Sequence, residues 1–183
     1  MEWFVRVLRD LGTEVLLAGR SALDLQGEHL GSVDIDLAVA AREWKDLGYD
    51  LEDYVQRGDL APAGAVSRSV ERYLVDGFVA VDVMNLSEIH PGVFRLLLEK
   101  ASVEVTVGRG GAVRAISREG YFVLAVMAGE RGFSRIKADP MAKVRKAWAL
   151  VGERTDRGKV ERLLHELGER DRVFEEALKP PRG

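Results

Sequence analysis

Two aspartates, Asp34 and Asp36, lie two positions apart in an otherwise apolar run at residues 33–39. The polar and apolar alternation along this run predicts a β-strand, on which side chains two positions apart point to the same face. Two neighbouring carboxylates repel each other unless a cation lies between them. The pair therefore suggests a divalent metal site, with Ile35 and Leu37 directed into a hydrophobic core.

A second feature lies upstream, where the apolar run at residues 15–18 ends in Gly19, Arg20 and Ser21. The run predicts a buried strand, and a short helix follows it. A tight turn that opens a helix offers free backbone N–H groups, which favour phosphate binding. We therefore expect a phosphate-binding turn beside the two carboxylates. The plainer interpretations are a simple turn at Gly19 and a helix N-cap at Ser21.

A third acid, Asp82, lies between two valines in a mostly apolar run at residues 78–84. Such a carboxylate is costly to bury without a partner. If its strand lies beside residues 33–39 in one sheet, Asp82 can face Asp34 and Asp36. Three carboxylates suit one or two Mg²⁺ ions, which proteins usually share with substrate phosphates. The combination predicts nucleotidyl transfer from a nucleoside triphosphate, whereas exposed positions on edge strands are the alternative interpretation.

These segments resemble the polymerase β-type nucleotidyltransferase superfamily, whose motif is an apolar strand, a glycine-containing turn, Asp-x-Asp and a later third acid. The likeness rests on Gly19-Arg20-Ser21, Asp34-Ile35-Asp36-Leu37 and Val81-Asp82-Val83. The resemblance implies that Asp34 and Asp36 hold the metal and the triphosphate. It also implies that Asp82 helps to activate the acceptor hydroxyl, and that Gly19, Ser21 and the charged Arg20 bind phosphate.

Within this superfamily, residues 17–27 are most similar to the AbiE-toxin-like branch, which is associated with abortive-infection and toxin–antitoxin systems. The branch tends to carry a Ser-x-Glu helix start and a basic stretch, which resemble residues 117–119 and 135–139 here. The resemblance implies that Arg135 and Lys137 contact nucleotide or acceptor. A solvated, charged helix start is the commoner explanation of that stretch. An antitoxin partner or a homodimer is also implied.

The bulk composition narrows the class of protein. The chain has 183 residues, no cysteine and a formal net charge of -3, which predicts neither disulfides nor bulk polyanion binding. No apolar run approaches the ~20 residues of a membrane span, so we expect a cytoplasmic protein without a membrane partner. The dense charge, 31% of residues, would suit a thermophile, although GC-rich coding explains the excess of arginine equally well.

The elements predict an α+β fold in two parts. Residues 1–116 form a nucleotidyltransferase-like α/β domain with a mixed β-sheet flanked by helices, and residues 117–183 form a helical C-terminal subdomain. Helical spacing predicts helices over residues 2–11, 41–56, 91–101, 118–128, 141–151, 157–167 and 171–178. Asp76-Gly77 predicts a two-residue hairpin turn with a return strand over residues 78–84. Residues 58–64, with Pro62, predict a loop.

Three functions remain open at this point. The first is a metal-dependent nucleotidyltransferase that moves NMP from a nucleoside triphosphate to RNA (for example tRNA), protein or a small molecule. The second is a catalytically inactive binding or interaction module of the same fold. It is suggested by Arg20, which stands where the family has a small residue. The third is another phosphoryl-transfer enzyme, such as an aminoglycoside-modifying relative.

Overall fold

The computed structural model describes residues 14–67, 69–108, 111–130 and 140–168. In this part of the chain, seven strands form one mixed sheet in the order β3-β4-β5-β2-β1-β7-β6. The β2–β5 and β1–β7 pairs are parallel, and the other neighbours are antiparallel. The strands are β1 (Leu16–Ala18), β2 (Asp34–Val39), β3 (Leu60–Ser67), β4 (Val70–Val75), β5 (Val79–Asn85), β6 (Ser102–Thr106) and β7 (Ala112–Ile116).

The described helices are distributed over two compact units, which meet in sequence between Ile116 and Ser117. The first unit contains the sheet with α1 (Gly19–Asp24), α2 (Ala41–Gln56) and α3 (Val93–Lys100). The second contains α4 (Arg118–Glu130), α5 (Pro140–Val151) and α6 (Arg157–Glu166). A mixed α and β architecture was predicted and is confirmed. The helices predicted over residues 2–11 and 171–178 lie outside the described residues.

The centre of the sheet is apolar on one face because its strands alternate. Ile35 and Leu37 on β2 are buried, as are Val81 and Val83 on β5. Side chains of successive residues point to opposite faces of a strand. The acids on these strands therefore share the other face. Burial of the aliphatic side chains, at roughly 25 cal/mol per Å² of apolar area, holds the two strands in this register.

The hairpin between β4 and β5 is confirmed, but its return strand begins one residue later than predicted. Asp76 and Gly77 both have positive φ, 52° and 73°, and the Phe78 N–H donates to the Val75 carbonyl at 3.1 Å. Phe78 itself is 89% exposed and lies outside the ladder, so Val75 pairs with Val79. The extra residue shifts the register of β4 on β5 by one position.

The loop predicted over residues 58–64 is wrong, because residues 60–64 belong to the strand β3. Among the described strands β3 pairs with β4 alone, so it is an edge of the sheet they form. An edge strand tolerates proline, because one of its sides needs no backbone donor. The pairing of β3 with β4 is irregular between Pro62 and Gly64 and between Ala65 and Ser67. Pro62 therefore led to the prediction of a loop where the structure has an edge strand.

In the second unit, α4 packs against α5 and α6. The rings of Phe122 on α4 and Trp148 on α5 meet edge to face, with centroids 5.1 Å apart. The predicted helices over residues 118–128, 141–151 and 157–167 are confirmed to within two residues at each end. No helix in the described ranges is long and apolar enough to cross a membrane.

Candidate active site on the acidic face of the sheet

The register of β2 and β5 places the three predicted acids on one face of the sheet. Asp36 lies directly opposite Asp82 on the neighbouring parallel strand. Asp34 lies two residues before Asp36 and therefore points the same way. The condition on which the three-acid arrangement depended, that these two strands are neighbours, is therefore met. We call the set of Asp34, Asp36 and Asp82 the acidic face.

Gly19 lies against this acidic face. It follows β1, whose last residue, Ala18, is the cross-strand partner of Asp36. A Cβ added to Gly19 would lie 2.6 Å from Cγ and 2.9 Å from Cβ of Asp36. Its φ of +62° is also in the left-handed region, which favours glycine. Both facts require glycine here, and they place the turn at residues 19–21 beside the Asp36 carboxylate.

Ser21 and Arg20 occupy different environments in this turn. Ser21 is 2% exposed, and its hydroxyl donates to the Ala18 carbonyl at 3.2 Å. Its proton is thus directed into the turn, where it stabilises the start of α1. Arg20 is partly exposed. The phosphate-binding roles of Gly19, Arg20 and Ser21 stay predictions, whereas their position next to Asp36 is a feature of the fold.

Arg72 on β4 joins the acidic face, and sequence analysis missed it. It is the cross-strand partner of Asp82, so the two side chains leave the same face. Its Nε donates to Asp82 Oδ1 and its Nη2 to Asp82 Oδ2, each at 2.6 Å. This is the bidentate geometry that makes arginine–carboxylate pairs strong and specific. Arg72 keeps 37% of its side-chain surface exposed, and Asp82 keeps 10%.

The charge of Arg72 is influenced by the whole acidic face. The hydrogen bond to Asp82 raises the pKa of Arg72 most, burial opposes it, and the negative charges of Asp82, Asp34 and Asp36 raise it further. The guanidinium therefore stays charged and offsets part of the repulsion among the carboxylates. If Phe78 were the first residue of β5, the turn would have two residues and Arg72 would face Val81. Because Phe78 instead belongs to the turn, Arg72 faces Asp82.

The loop between α1 and β2 positions the start of β2. Both carboxylate oxygens of Asp24 accept backbone N–H groups, one from Leu30 and the other from Ser32 at 2.7 Å. The hydroxyl of Ser32 in turn donates to the Asp34 carbonyl at 2.8 Å. His29, with a φ of 53°, is exposed in this loop. Asp24 and Ser32 thus fix the chain just before the first acid, a role that sequence analysis did not predict.

The acidic face suits a divalent cation only in part. Across the described ranges, no group of three or more His, Cys, Asp or Glu side chains is arranged to hold a metal ion. Both oxygens of Asp82 are engaged by Arg72, which leaves Asp34 and Asp36 as a pair on one face. Two carboxylates completed by substrate phosphates are a common way for proteins to hold Mg²⁺. The pair fits that arrangement, and a site of three carboxylates stays a prediction.

Two predicted site residues, Arg135 and Lys137, lie outside the described residues. Their contact with nucleotide or acceptor therefore stays a prediction from the resemblance.

Comparison with known proteins identifies the fold. No protein-family model matches the chain, and no curated protein matches its sequence. A solution structure of the antibiotic-resistance factor ANT(2'')-Ia matches with a TM-score of 0.55 and 14% identity, over 93% of this chain and 90% of that one. A crystal structure of ANT(2'')-Ia with adenylyl-2''-tobramycin gives a TM-score of 0.54 and 14% identity, over 88% and 91%.

A third solved structure is similar in the same way. It is an antigenic nucleotidyltransferase-like protein from Paracoccidioides brasiliensis, with a TM-score of 0.51 and 15% identity, over 97% of this chain and 89% of that one. At such identities the likeness concerns the fold. The chain therefore has the fold of nucleotidyltransferases, and its acidic face lies on the central strands of that fold.

Proposed function

We propose that this protein is a metal-dependent nucleotidyltransferase that moves NMP from a nucleoside triphosphate to a hydroxyl group. The observation that carries the proposal is the register of β2 and β5, which aligns Asp34, Asp36 and Asp82 on one face beside the Gly19 turn. So many negative charges on one face are unfavourable by themselves. They become favourable when cationic metal and phosphate chemistry is brought to that face.

In this proposal, Asp34 and Asp36 hold one or two Mg²⁺ ions together with the triphosphate. Bound there, the metal would neutralise phosphate charge. The acceptor oxygen attacks the α-phosphorus, the bond from that phosphorus to the bridging oxygen breaks, and pyrophosphate leaves. Asp82 takes the proton of the acceptor hydroxyl. The turn at Gly19, Arg20 and Ser21 holds the outer phosphates, with backbone N–H groups as the principal donors because the Ser21 hydroxyl donates within the turn.

The acceptor is the least defined part of the proposal. RNA such as tRNA, a protein and a small molecule are the three classes to test. The resemblance to the AbiE-toxin-like branch supports a toxin–antitoxin context, with an antitoxin or a second copy of the chain as partner. ANT(2'')-Ia, which was solved with adenylyl-2''-tobramycin, adds small molecules of that kind to the test.

The test is transfer of label from α-³²P-labelled ATP, GTP, CTP and UTP to total RNA, total protein and tobramycin, with Mg²⁺ present. We expect one acceptor class to become labelled by the wild type. Asp34→Asn should lose the labelling, and the surface variant Glu99→Gln should retain it, because Glu99 is half exposed and pairs with Arg95 on the surface of α3. Absence of labelling with every triphosphate and acceptor would contradict the proposal.

A catalytically inactive binding module is the second candidate, and one observation favours it. Both oxygens of Asp82 are engaged by Arg72, which competes with metal binding and proton transfer at this carboxylate. Isothermal titration separates the two candidates. Triphosphate binding that depends on Asp34 and Asp36, without transfer to any acceptor, supports the binding module; binding together with transfer supports the enzyme.

A further inference from the structure

Arg72 lies beside the carboxylates to which a metal cation would bind. Asp82 is only 7% exposed, and an anion buried to that extent needs a compensating charge. Arg72 supplies it from the neighbouring strand through two hydrogen bonds of 2.6 Å. The same guanidinium is attracted to Asp34 and Asp36. One arginine thus provides positive charge to all three carboxylates of the acidic face.

A divalent cation at this face would depend on the same carboxylates. Positive charges that draw on one set of anions compete, because each weakens the net attraction that the other feels. Arg72 engages both oxygens of Asp82, so the guanidinium occupies the carboxylate that would serve as a third metal ligand. Arg72 has 37% of its side-chain surface exposed, so it can move toward solvent when a stronger cation arrives.

We propose that Arg72 is a resident counter-cation that competes with the metal for Asp82. It stabilises the acidic face when metal is absent, and it weakens metal binding until a triphosphate brings further ligands. Entry of metal and triphosphate together then releases Asp82 from Arg72 for proton transfer. The inference rests on the proposed function for the identity of the metal and of the triphosphate. The competition itself concerns only Arg72 and the three carboxylates.

The test measures Mn²⁺ binding to the full chain, by electron paramagnetic resonance and isothermal titration, without nucleotide. Mn²⁺ takes the same oxygen ligands as Mg²⁺ and is visible by resonance. We expect Arg72→Gln to bind Mn²⁺ about tenfold or more tightly than the wild type, since one competing charge is removed. Arg72→Lys, which keeps the charge but loses the two-pronged geometry, should show a smaller gain. Arg95→Gln, which removes an exposed arginine on α3, should bind as the wild type does.

A second variant shows which carboxylate is released. Adding Asp82→Asn to Arg72→Gln should return Mn²⁺ affinity to near the wild-type value. If the double variant keeps the full gain, Asp82 is not the contested ligand and the inference is wrong. Circular dichroism with thermal melts checks the fold. Mn²⁺ should raise the melting temperature of Arg72→Gln more than that of the wild type, and Arg72→Lys provides the comparison if Arg72→Gln does not fold without metal.

Mn²⁺ affinity that is unchanged or weaker in both Arg72→Gln and Arg72→Lys would overturn the inference. That result leaves the proposed function intact if the wild type still transfers label in the presence of Mg²⁺. The opposite result is tighter Mn²⁺ binding by Arg72→Gln without transfer by the wild type to any acceptor. That result would contradict the proposed enzyme activity but support the competition between Arg72 and the metal. The two claims therefore fail separately.

Discussion

Two partly buried carboxylates, Asp82 in the sheet and Glu119 in the helical unit, have similar exposure but opposite surroundings. Their side chains keep 10% and 13% of their surface exposed. Glu119 accepts the Ser117 hydroxyl at 2.8 Å and the Asp156 N–H at 3.2 Å, and Lys159 Nζ lies 3.5 Å from its carboxylate. Asp82 is paired with Arg72, which also feels the charges of Asp34 and Asp36. The contacts of Glu119 come from the helical unit alone, whereas Asp82 lies beside two further carboxylates.

The contacts of Glu119 stabilise the helical unit, whereas the proposed function assigns the carboxylates of the acidic face to ligand binding. Glu119 caps the start of its own helix and links it to the start of α6, so its charge has a structural use. Burial raises its pKa, but the bonds from Ser117 and the Asp156 N–H and the charge of Lys159 outweigh that and lower the pKa of Glu119 overall. In the proposed function, binding of a cation offsets the repulsion among the carboxylates of the acidic face.

The largest expected effect comes from neutralising a carboxylate of the acidic face. Asp36→Asn should lower the rate of NMP transfer by about 10³-fold or more, because charge stabilisation at phosphorus is removed. Its free energy of unfolding should stay the same or rise, since repulsion with Asp82 is relieved. Steady-state kinetics and urea unfolding measure the two effects. A large loss of stability together with activity would mean that Asp36 is a structural residue like Glu119.

Gly19→Ala should have the next largest effect. The added Cβ collides with Asp36 and is held at a left-handed φ, so activity should fall about 10²-fold through misplacement of the carboxylate. Stability should fall by about 1 kcal/mol or more from the backbone conformation.

The control for this variant is Gly58→Ala. Gly58 has a φ of +82°, and a Cβ there meets nothing within 4 Å. This variant should lose stability but keep its activity. Equal activity in the two alanine variants would show that the contact between Gly19 and Asp36 does not matter for the reaction.

Glu119→Gln should show the reverse pattern, with stability lost by about 1–2 kcal/mol and transfer unchanged. Because folding lowers the pKa of Glu119, its contribution is present above the unfolded pKa, near 4.5, and is lost as the pH falls through the folded value. The difference in unfolding free energy between wild type and variant should therefore be full at pH 7 and shrink below about pH 4.5. A difference that grows on acidification would contradict this assignment.

The smallest effect is expected at Phe78. Phe78→Ala should change stability by less than about 0.5 kcal/mol, because the ring is 89% exposed. Deleting Phe78 leaves Asp76-Gly77 as a two-residue turn between Val75 and Val79, so Arg72 stays opposite Asp82. The deletion variant should therefore bind Mn²⁺ as the wild type does. A gain in Mn²⁺ affinity like that of Arg72→Gln would contradict this register.

The sequence predicted the elements that carry the acids, because buried apolar runs with embedded aspartates have few other interpretations. Strands β1, β2 and β5 followed from that pattern, whereas the neighbouring position of β2 and β5 was only assumed and is shown by the sheet. Arg72 was missed because its position opposite Asp82 depends on whether Phe78 belongs to the turn or to β5. The alternation of side chains along β4 does not reveal this. Edge strand β3 was missed because Pro62 and Gly64 usually mark loops, and only the sheet shows that this strand is an edge.

The most direct test of the central claim is single-turnover transfer from α-³²P-labelled triphosphate by the wild type, Asp36→Asn and Glu119→Gln, each with Mg²⁺ and with EDTA. We expect labelled acceptor with the wild type and Glu119→Gln in Mg²⁺. We expect loss of label in EDTA and in Asp36→Asn. Label that persists in Asp36→Asn, or that disappears in a folded Glu119→Gln, would contradict the assignment of catalysis to the acidic face.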